Sequence, residues 1–413
     1  MKLFVLFSLV SLALAKKTFF GDQVLTLHPT TQDQVELIRG YENEIDFWNP
    51  GYPSQVHENN PVDVRIEKFQ LMKFKRTMKD AGINFEVKIG DVQMAIDEQV
   101  EPRRNHPKAL LGYDYFIYHS YDEINSWTMD IEQQYPTLVT RSVIGTSWEG
   151  RDIPMLTLKT SDSKPAMLVD CGFHAREWIS PAFCQCYVQQ LIDSEILNDL
   201  TIHVIPVVNV DGYQYTHTND RMWRKTRSKR AGSICYGVDP NRNCDAGWSG
   251  PGSSGSPCSD TYYGPSAESE PEVKAVADFI RANINSLKAY VTFHAYGQMI
   301  LYPYSYQLRL ADTTKNLDYY AVAAYNAVKT PFGTEYIYGP GGTTIYLAAG
   351  GSDDFAYDAG VPLSYTIELR DEGRYGFALP ARQIEPVCEE TFNLMEVMHQ
   401  GVRDINAGVY NES

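Results

Sequence analysis

The sequence predicts an α/β catalytic domain with a mixed, largely parallel sheet flanked by helices, preceded by a small α+β ferredoxin-like domain. Three observations predict it. Continuous apolar runs, suited to strands buried on both faces, recur after residue 165 and alternate with helical periodicity. Residues 16–100 carry a shorter pattern of their own in the order βαββαβ. Between the two lies a polar, basic stretch broken by prolines, as domain linkers are.

Taken in order, Met1 to Ala15 read as a signal peptide. Lys2 precedes an apolar run, and Ala13-Leu14-Ala15 places small residues where a signal peptidase cuts. The run is too short to span ~30 Å of hydrocarbon, and no later stretch of ~20 apolar residues follows. A secreted, extracellular protein is expected, and export permits disulfides. In residues 16–100, Gln23 to Leu27 alternate as a strand, Thr31 to Arg39 suit a short helix stopped by Gly40, and Ile45 to Trp48 suit a second strand. Val62, Val64 and Ile66 alternate. Leu71, Phe74, Lys75 and Met78 keep helical spacing as far as Gly82, and Ile83, Phe85, Val87 and Ile89 alternate again. No residue of this domain looks catalytic. Residues 101–108 form a linker open to proteolysis, in which Arg103, Arg104 and Lys108 are the candidate cleavage points; a plain solvated connector is the competing reading.

From residue 109 to 413 the buried-strand candidates are Ala166 to Val169, Ile202 to Val208, Ala289 to Phe293 and Ser364 to Leu369. Helix candidates lie at 181–193, 268–286 and 314–329, and Gly250 to Gly255 is a loop within the domain. Hydrophobic residues make up 43% and charged residues 21%, ordinary for a soluble globular chain. The net charge of −16 argues against nucleic acid or an anionic membrane as partner and leaves cationic substrates open. Seven cysteines, an odd number, leave at least one unpaired within the chain.

Ligands of open α/β sheets bind beyond the carboxyl ends of the strands, and here those ends are polar. One strand runs into Cys171-Gly172-Phe173-His174-Ala175-Arg176-Glu177, another ends at Asn209, a third at His294 and a fourth at Glu368-Leu369-Arg370. Zinc with an open position takes three protein ligands from histidine and carboxylate. His174, Glu177 and His294 make such a set, although any one of these histidines could be structural. Glu368 is the candidate base for a water attacking a carbonyl, or else a salt-bridge partner of Arg370.

The chain resembles the zinc carboxypeptidases of the pancreatic A/B type. The resemblance rests on Cys171 to Ser180, Arg221 to Ser228, Asp239-Pro240-Asn241-Arg242-Asn243, Thr343 to Tyr346 and Thr366 to Arg370, in the family's order. It implies one zinc ion held by His174, Glu177 and His294, with Glu368 assisting attack by the zinc-bound water and then protonating the leaving amine. Arg224 would stabilise the oxyanion. Asn241, Arg242 and Tyr346 would hold the substrate's terminal carboxylate, with Arg176 an outer contact and Asp239 a carboxylate behind the first zinc histidine. Asp353, with Ser305 and Gly341, matches the B-type pocket, which implies preference for C-terminal Lys or Arg. The alternatives are A-type preference for hydrophobic residues, a non-catalytic binding homologue, or a zinc hydrolase of small amides.

The resemblance further implies disulfides Cys171–Cys184 and Cys235–Cys258. Two other B-type cysteines are replaced together, by Ser249 and Tyr263, and Cys186, Cys244 and Cys388 are left over. Residues 16–100 resemble the activation segment that covers the cleft until a trypsin-like protease removes it. Asp46-Phe47-Trp48-Asn49-Pro50 matches, but Gly51 stands where B-type precursors carry an aspartate directed at the carboxylate-binding arginine. Expected partners are peptide or protein C-termini and the activating protease, with no nucleic acid and no membrane; a monomer is expected. Asn411-Glu412-Ser413 is the only glycosylation sequon.

Overall fold

The computed structural model describes residues 16–101, 112–161 and 164–409. The signal peptide, the cleavage candidates Arg103, Arg104 and Lys108, and the Asn411 sequon lie outside the described residues.

The front domain contains β1 (Gln23–His28), α1 (Gln32–Arg39), β2 (Asp46–Asn49), β3 (Val62–Ile66), α2 (Lys68–Asp80), β4 (Asn84–Ile89) and α3 (Val92–Gln99). The sheet order is β2-β3-β1-β4 with every pair antiparallel, the ferredoxin-like arrangement. Thr31 starts α1 by accepting from the Gln34 backbone N–H. Strand alternation sorts the side chains. Leu25, Leu27, Val62 and Val64 pack with Val35 and Ile38 of α1 and Phe74 and Met78 of α2. Val24 points to the other face, where it joins Trp48, Val92 and Ile96 in a seam against Met222 and Phe377 of the larger domain. α3 is absent from the sequence reading, although Asp91, which accepts from the Met94 N–H, is an N-cap signal.

The larger domain contains α4 (Tyr121–Gln134), β5 (Val139–Thr146), β6 (Asp152–Leu158), β7 (Ala166–Cys171), α5 (Ile179–Ile192), β8 (Thr201–Ile205), α6 (Val210–Thr218), α7 (Pro271–Asn283), β9 (Leu287–Ala295) and β10 (Met299–Tyr302). It continues with α8 (Thr314–Lys329), β11 (Ile337–Pro340), α9 (Gly341–Thr344), α10 (Ser352–Asp358), β12 (Leu363–Leu369) and α11 (Ile384–Asn406). The eight strands run in the order β11-β10-β12-β9-β7-β8-β6-β5. The centre, β12-β9-β7-β8, is parallel, and β6 and β10 join it antiparallel. Every residue of β7 is buried, as its unbroken apolar run predicts.

Two boundaries differ from the sequence reading for local reasons. The strand expected to reach Val208 stops at Ile205, because Pro206 has no N–H for the ladder. The helix expected from residue 268 begins at Pro271, because Glu268 has a φ of 53°, outside the helical region.

Cys171–Cys184 and Cys235–Cys258 are bonded, but two of the supposed leftover cysteines are paired as well. Cys186 of α5 bonds to Cys388 of α11, leaving Cys244 as the free, buried thiol. Residues two apart on a helix point ~200° apart, so Cys184 faces β7 while Cys186 faces the C-terminal helix.

Glu272, in the first turn of α7, is fully buried. One of its oxygens accepts from the Trp148 N–H at 3.2 Å and the other has no partner among the described residues. Burial pushes this carboxyl up to about 8, with repulsion from Glu270 and Asp211 adding to the effect. An unfolded glutamate titrates at ~4.3. The folded chain therefore holds the proton between those two values, and the stability it contributes is full below the lower one and lost as pH rises through the upper one. Glu272→Gln is expected to raise the melting temperature at about pH 8.5, by ~2–4 °C for each kcal/mol recovered, and by much less near pH 5. Thermal melts across that range check it; an equal gain at both ends would rule out the carboxyl as the cause.

Candidate metal centre and substrate cleft

Strand register brings the site together. β9 and β12 run side by side, and His294 is paired directly with Glu368. β7 flanks β9 on its other side and ends at Cys171, so the loop carrying His174 and Glu177 leaves the same edge of the sheet. That loop is tied to the Arg224 loop by the Ala175 N–H, which donates to the Arg224 carbonyl at 3.0 Å. Asn209 knits them further. Its amide donates to the carbonyls of Phe173 (3.2 Å) and Lys225 (3.0 Å), while its oxygen accepts from the Gly212 N–H and caps α6. The sequence showed Asn209 only as a polar strand end; it is a fully buried clamp two loops wide.

His174, Glu177 and His294 are the one group of three potential metal ligands among the described residues, their donor atoms lying within 4.8 Å of one another. His174 Nδ1 is 2.7 Å from Glu177 Oε1 and 3.1 Å from His294 Nδ1, and His294 Nδ1 is 3.1 Å from Glu177 Oε2. Zinc bound at ~2.0–2.2 Å in tetrahedral geometry spaces its donors about 3.3 Å apart, so the three fit it after movements of a few tenths of an ångström. The three groups are also coupled electrostatically. Burial lowers the His174 pKa; burial also works against the charged form of His294, but Glu177 outweighs it and raises that pKa; and Glu177, whose charge burial opposes, is held well below the ordinary carboxyl range by the two histidines.

Asp239, also fully buried, sets the tautomer. Its Oδ1 lies 3.0 Å from His174 Nε2, which directs Nδ1 to the cluster, and also accepts from the Asn241 N–H. Its Oδ2 accepts from Arg224 at 2.9 and 3.2 Å. Desolvation opposes the charge on Arg224, but Asp239 and Glu177 more than offset it and raise its pKa. One aspartate thus orients a histidine, an arginine and the turn that carries Asn241.

Asn241 and Arg242 lie in a short 3-10 turn, Pro240–Arg242, and line one cavity of about 300 Å³ together with Tyr346, Asp353, Ser305 and Glu368. The Asn241 side chain accepts from the Ser352 N–H at 3.1 Å, fixing the start of α10 and hence Asp353. Asp353 is buried, and its Oδ2 has no partner among the described residues. Burial raises its pKa, against the pull of hydrogen bonds from the Asp354 backbone and the Thr366 hydroxyl. At Gly341 a Cβ would collide with Ser305 Oγ, so glycine is what leaves the pocket wall open there.

Arg176 sits apart from this cavity. It stacks on the Phe377 ring, with its guanidinium 4.1 Å from the centroid, and bonds to Asp46 of the front domain at 2.8 Å. Trp48 packs edge-on against the same Phe377. The front domain roofs the cavity through Trp48, Asn49, Pro50 and Gly51. The segment that matched the activation segment in sequence lies over the cleft in space.

Residues 124–394 match the zinc carboxypeptidase family, and residues 25–99 match the carboxypeptidase activation peptide. The chain is 45% identical to carboxypeptidase B of Rattus norvegicus, covering 97% of this chain and 99% of the rat protein. Among solved structures, thrombin activatable fibrinolysis inhibitor aligns with a TM-score of 0.87 and 38% identity, over 93% of this chain and 99% of its own. Carboxypeptidase A from Helicoverpa armigera aligns with a TM-score of 0.82 and 30% identity, over 93% and 98%. No helix of the described residues is long and apolar enough to cross a membrane. The chain belongs to the zinc carboxypeptidases, as a precursor that carries an activation peptide ahead of a catalytic domain built around one zinc ion.

Proposed function

We propose that the mature enzyme, residues 109–413, removes C-terminal Lys or Arg from peptides and proteins. In this reading residues 1–15 direct secretion, residues 16–100 are the activation domain and residues 101–108 the linker cut by a trypsin-like protease. The observation that carries the specificity is Asp353, a buried carboxylate in the cavity with an oxygen left unpartnered. A substrate guanidinium or ammonium completes it, whereas an apolar side chain leaves it desolvated and unpaired.

The other roles follow from position. Arg242 receives the terminal carboxylate as a fork, with Asn241 and Tyr346 beside it and Arg176 an outer contact once Asp46 is gone. His174, Glu177 and His294 hold zinc, oriented by Asp239. When bound, zinc acts as a Lewis acid and makes water nucleophilic near neutral pH. Glu368 takes a proton from the attacking water and passes it to the departing nitrogen as the C–N bond breaks. A shortened peptide carboxylate and a free amino acid result. Arg224 faces the charge that develops on the carbonyl oxygen.

Activated enzyme assayed on hippuryl-arginine and hippuryl-phenylalanine tests the reading. The arginine substrate is expected to be favoured at least ~100-fold in kcat/KM, and chelation is expected to abolish both activities with recovery on adding zinc. Preference for phenylalanine would overturn the specificity assignment, and chelator-resistant hydrolysis would overturn the ligand set.

A further inference from the structure

We infer that the uncut precursor docks on anionic phospholipid surfaces through the outward face of α2, and that activation sheds this contact with the rest of the activation domain.

A net charge of −16 makes the chain as a whole repel such a surface, but the charge is unevenly spread. α2 carries Lys68, Lys73, Lys75, Arg76 and Lys79 against a single acid, Asp80. Among the described residues only Arg76 of these five cations has a carboxylate within ion-pair distance, that of Asp80 at 3.7 Å. Lys68 stands over the Phe20 ring, 5.2 Å from its centroid, and Lys75 donates to the Gln23 side chain at 2.6 Å.

Apolar side chains share this face. A helical step of ~100° per residue puts Phe69, Met72 and Arg76 on one stripe, opposite the buried Phe74 and Met78, with Lys73 and Lys79 at its edges. Phe69 is 79% exposed and Met72 80%, and Phe20 beside Lys68 is 65% exposed. Side chains this exposed project into solvent and line no groove, so they make no concave seat for a peptide or small molecule. A flat bilayer suits them. Projecting apolar side chains rimmed by Lys and Arg enter the boundary between headgroups and acyl chains while the cations meet the anionic headgroups.

The fold leaves this face free. Phe74 and Met78 pack on the side of the sheet that holds Leu25 and Leu27. Its other side, with Val24, rests on Met222 and Phe377 of the catalytic domain. The sheet thus separates α2 from the catalytic domain, and no residue of α2 lines the cavity of the cleft. The linker cut proposed above removes the whole patch, so precursor and mature enzyme differ in it.

Co-sedimentation of zinc-loaded, uncut precursor with phosphatidylcholine vesicles, with and without ~30% phosphatidylserine, measures the contact. The precursor is expected to bind the mixed vesicles, to ignore phosphatidylcholine alone and to let go as salt rises. Lys73→Glu combined with Arg76→Glu is expected to weaken binding at least ~20-fold. Phe69→Ser combined with Met72→Ser is expected to weaken it ~10-fold at unchanged charge. All four side chains are exposed, and trypsin is expected to release the same active mature enzyme from either variant, which shows that both fold. A precursor that ignores the mixed vesicles overturns the inference, as does equal binding by the mature enzyme or by the charge-reversed variant. Serine variants that bind as well as the parent would reduce the contact to charge and overturn the insertion of Phe69 and Met72. Binding to heparin without binding to vesicles would assign the patch to a soluble polyanion and overturn the inference too. If trypsin fails to release the mature enzyme, the proposed cut fails while the vesicle result on the uncut chain still decides the docking face.

Discussion

Glu368→Gln is expected to lower kcat of the mature enzyme by about 10²–10⁴-fold while leaving zinc content and substrate affinity nearly unchanged. The substitution keeps the shape of the side chain and its place beside His294 in the register of β9 and β12, and removes only the ability to take a proton. Burial raises the Glu368 carboxyl to about 8; Glu177 adds to the shift, while His294, Arg224 and Arg242 oppose it. A dication held, as proposed, by His174, Glu177 and His294 would draw it lower, toward the range in which a general base works at neutral pH. The sign follows. Activity rises with pH as Glu368 loses its proton, and this acidic limb is expected to vanish from the residual activity of the glutamine variant. Zinc analysis, KM and a pH–rate profile check the three parts together. A variant that lost zinc, or kept the limb, would assign the proton transfer to another group.

The parts of this molecule that were legible in the sequence are those where chemistry and local pattern coincide. An apolar run ending in a polar residue marks both a buried strand and the side chain placed at its tip, which is why the strand-end positions of His294 and Glu368 could be read from sequence alone. His174 and Glu177 follow the run of β7 in the same way. The linkage among these strands was not legible, because register is a property of pairs. Nothing in Glu368 itself says that it faces His294. The Cys186–Cys388 bond was hidden for the same reason, as it depends on how α5 packs against α11. Asn209 and Asp239 hold two loops each through backbone and side-chain bonds that have no sequence signature beyond a polar residue in a buried context. Asp46 belonged to a recognised motif, yet its contact with Arg176 links residues 130 positions apart and appears only when the front domain is laid on the cleft.

Asp353→Leu is expected to reverse the ranking of C-terminal arginine and phenylalanine. Removing one member of a buried ion pair costs ~3–5 kcal/mol, equivalent to about 10²–10⁴-fold in kcat/KM for the arginine substrate. Phenylalanine gains from the same change, because it no longer has to bury an unanswered carboxylate. The pocket wall is set by a different residue. Asp354 accepts from the Ser305 N–H at 3.0 and 2.9 Å and from the Tyr306 N–H at 2.9 Å, so the wall opposite position 353 stays in place when the charge is removed. Gly341 likewise keeps its opening, so length is conserved while charge is lost. Asp353→Asn separates the two effects. It keeps the polarity and volume but gives up the charge, and is expected to lose the arginine substrate without gaining phenylalanine. A leucine variant that still favoured arginine would move the cation's partner to another carboxylate lining the same cavity, of which Glu368 is the one available among the described catalytic-domain residues beyond the zinc ligand Glu177. Since Glu368 is also the proposed base, that outcome would couple specificity to turnover, and the arginine preference of Glu368→Gln would then fall together with its rate.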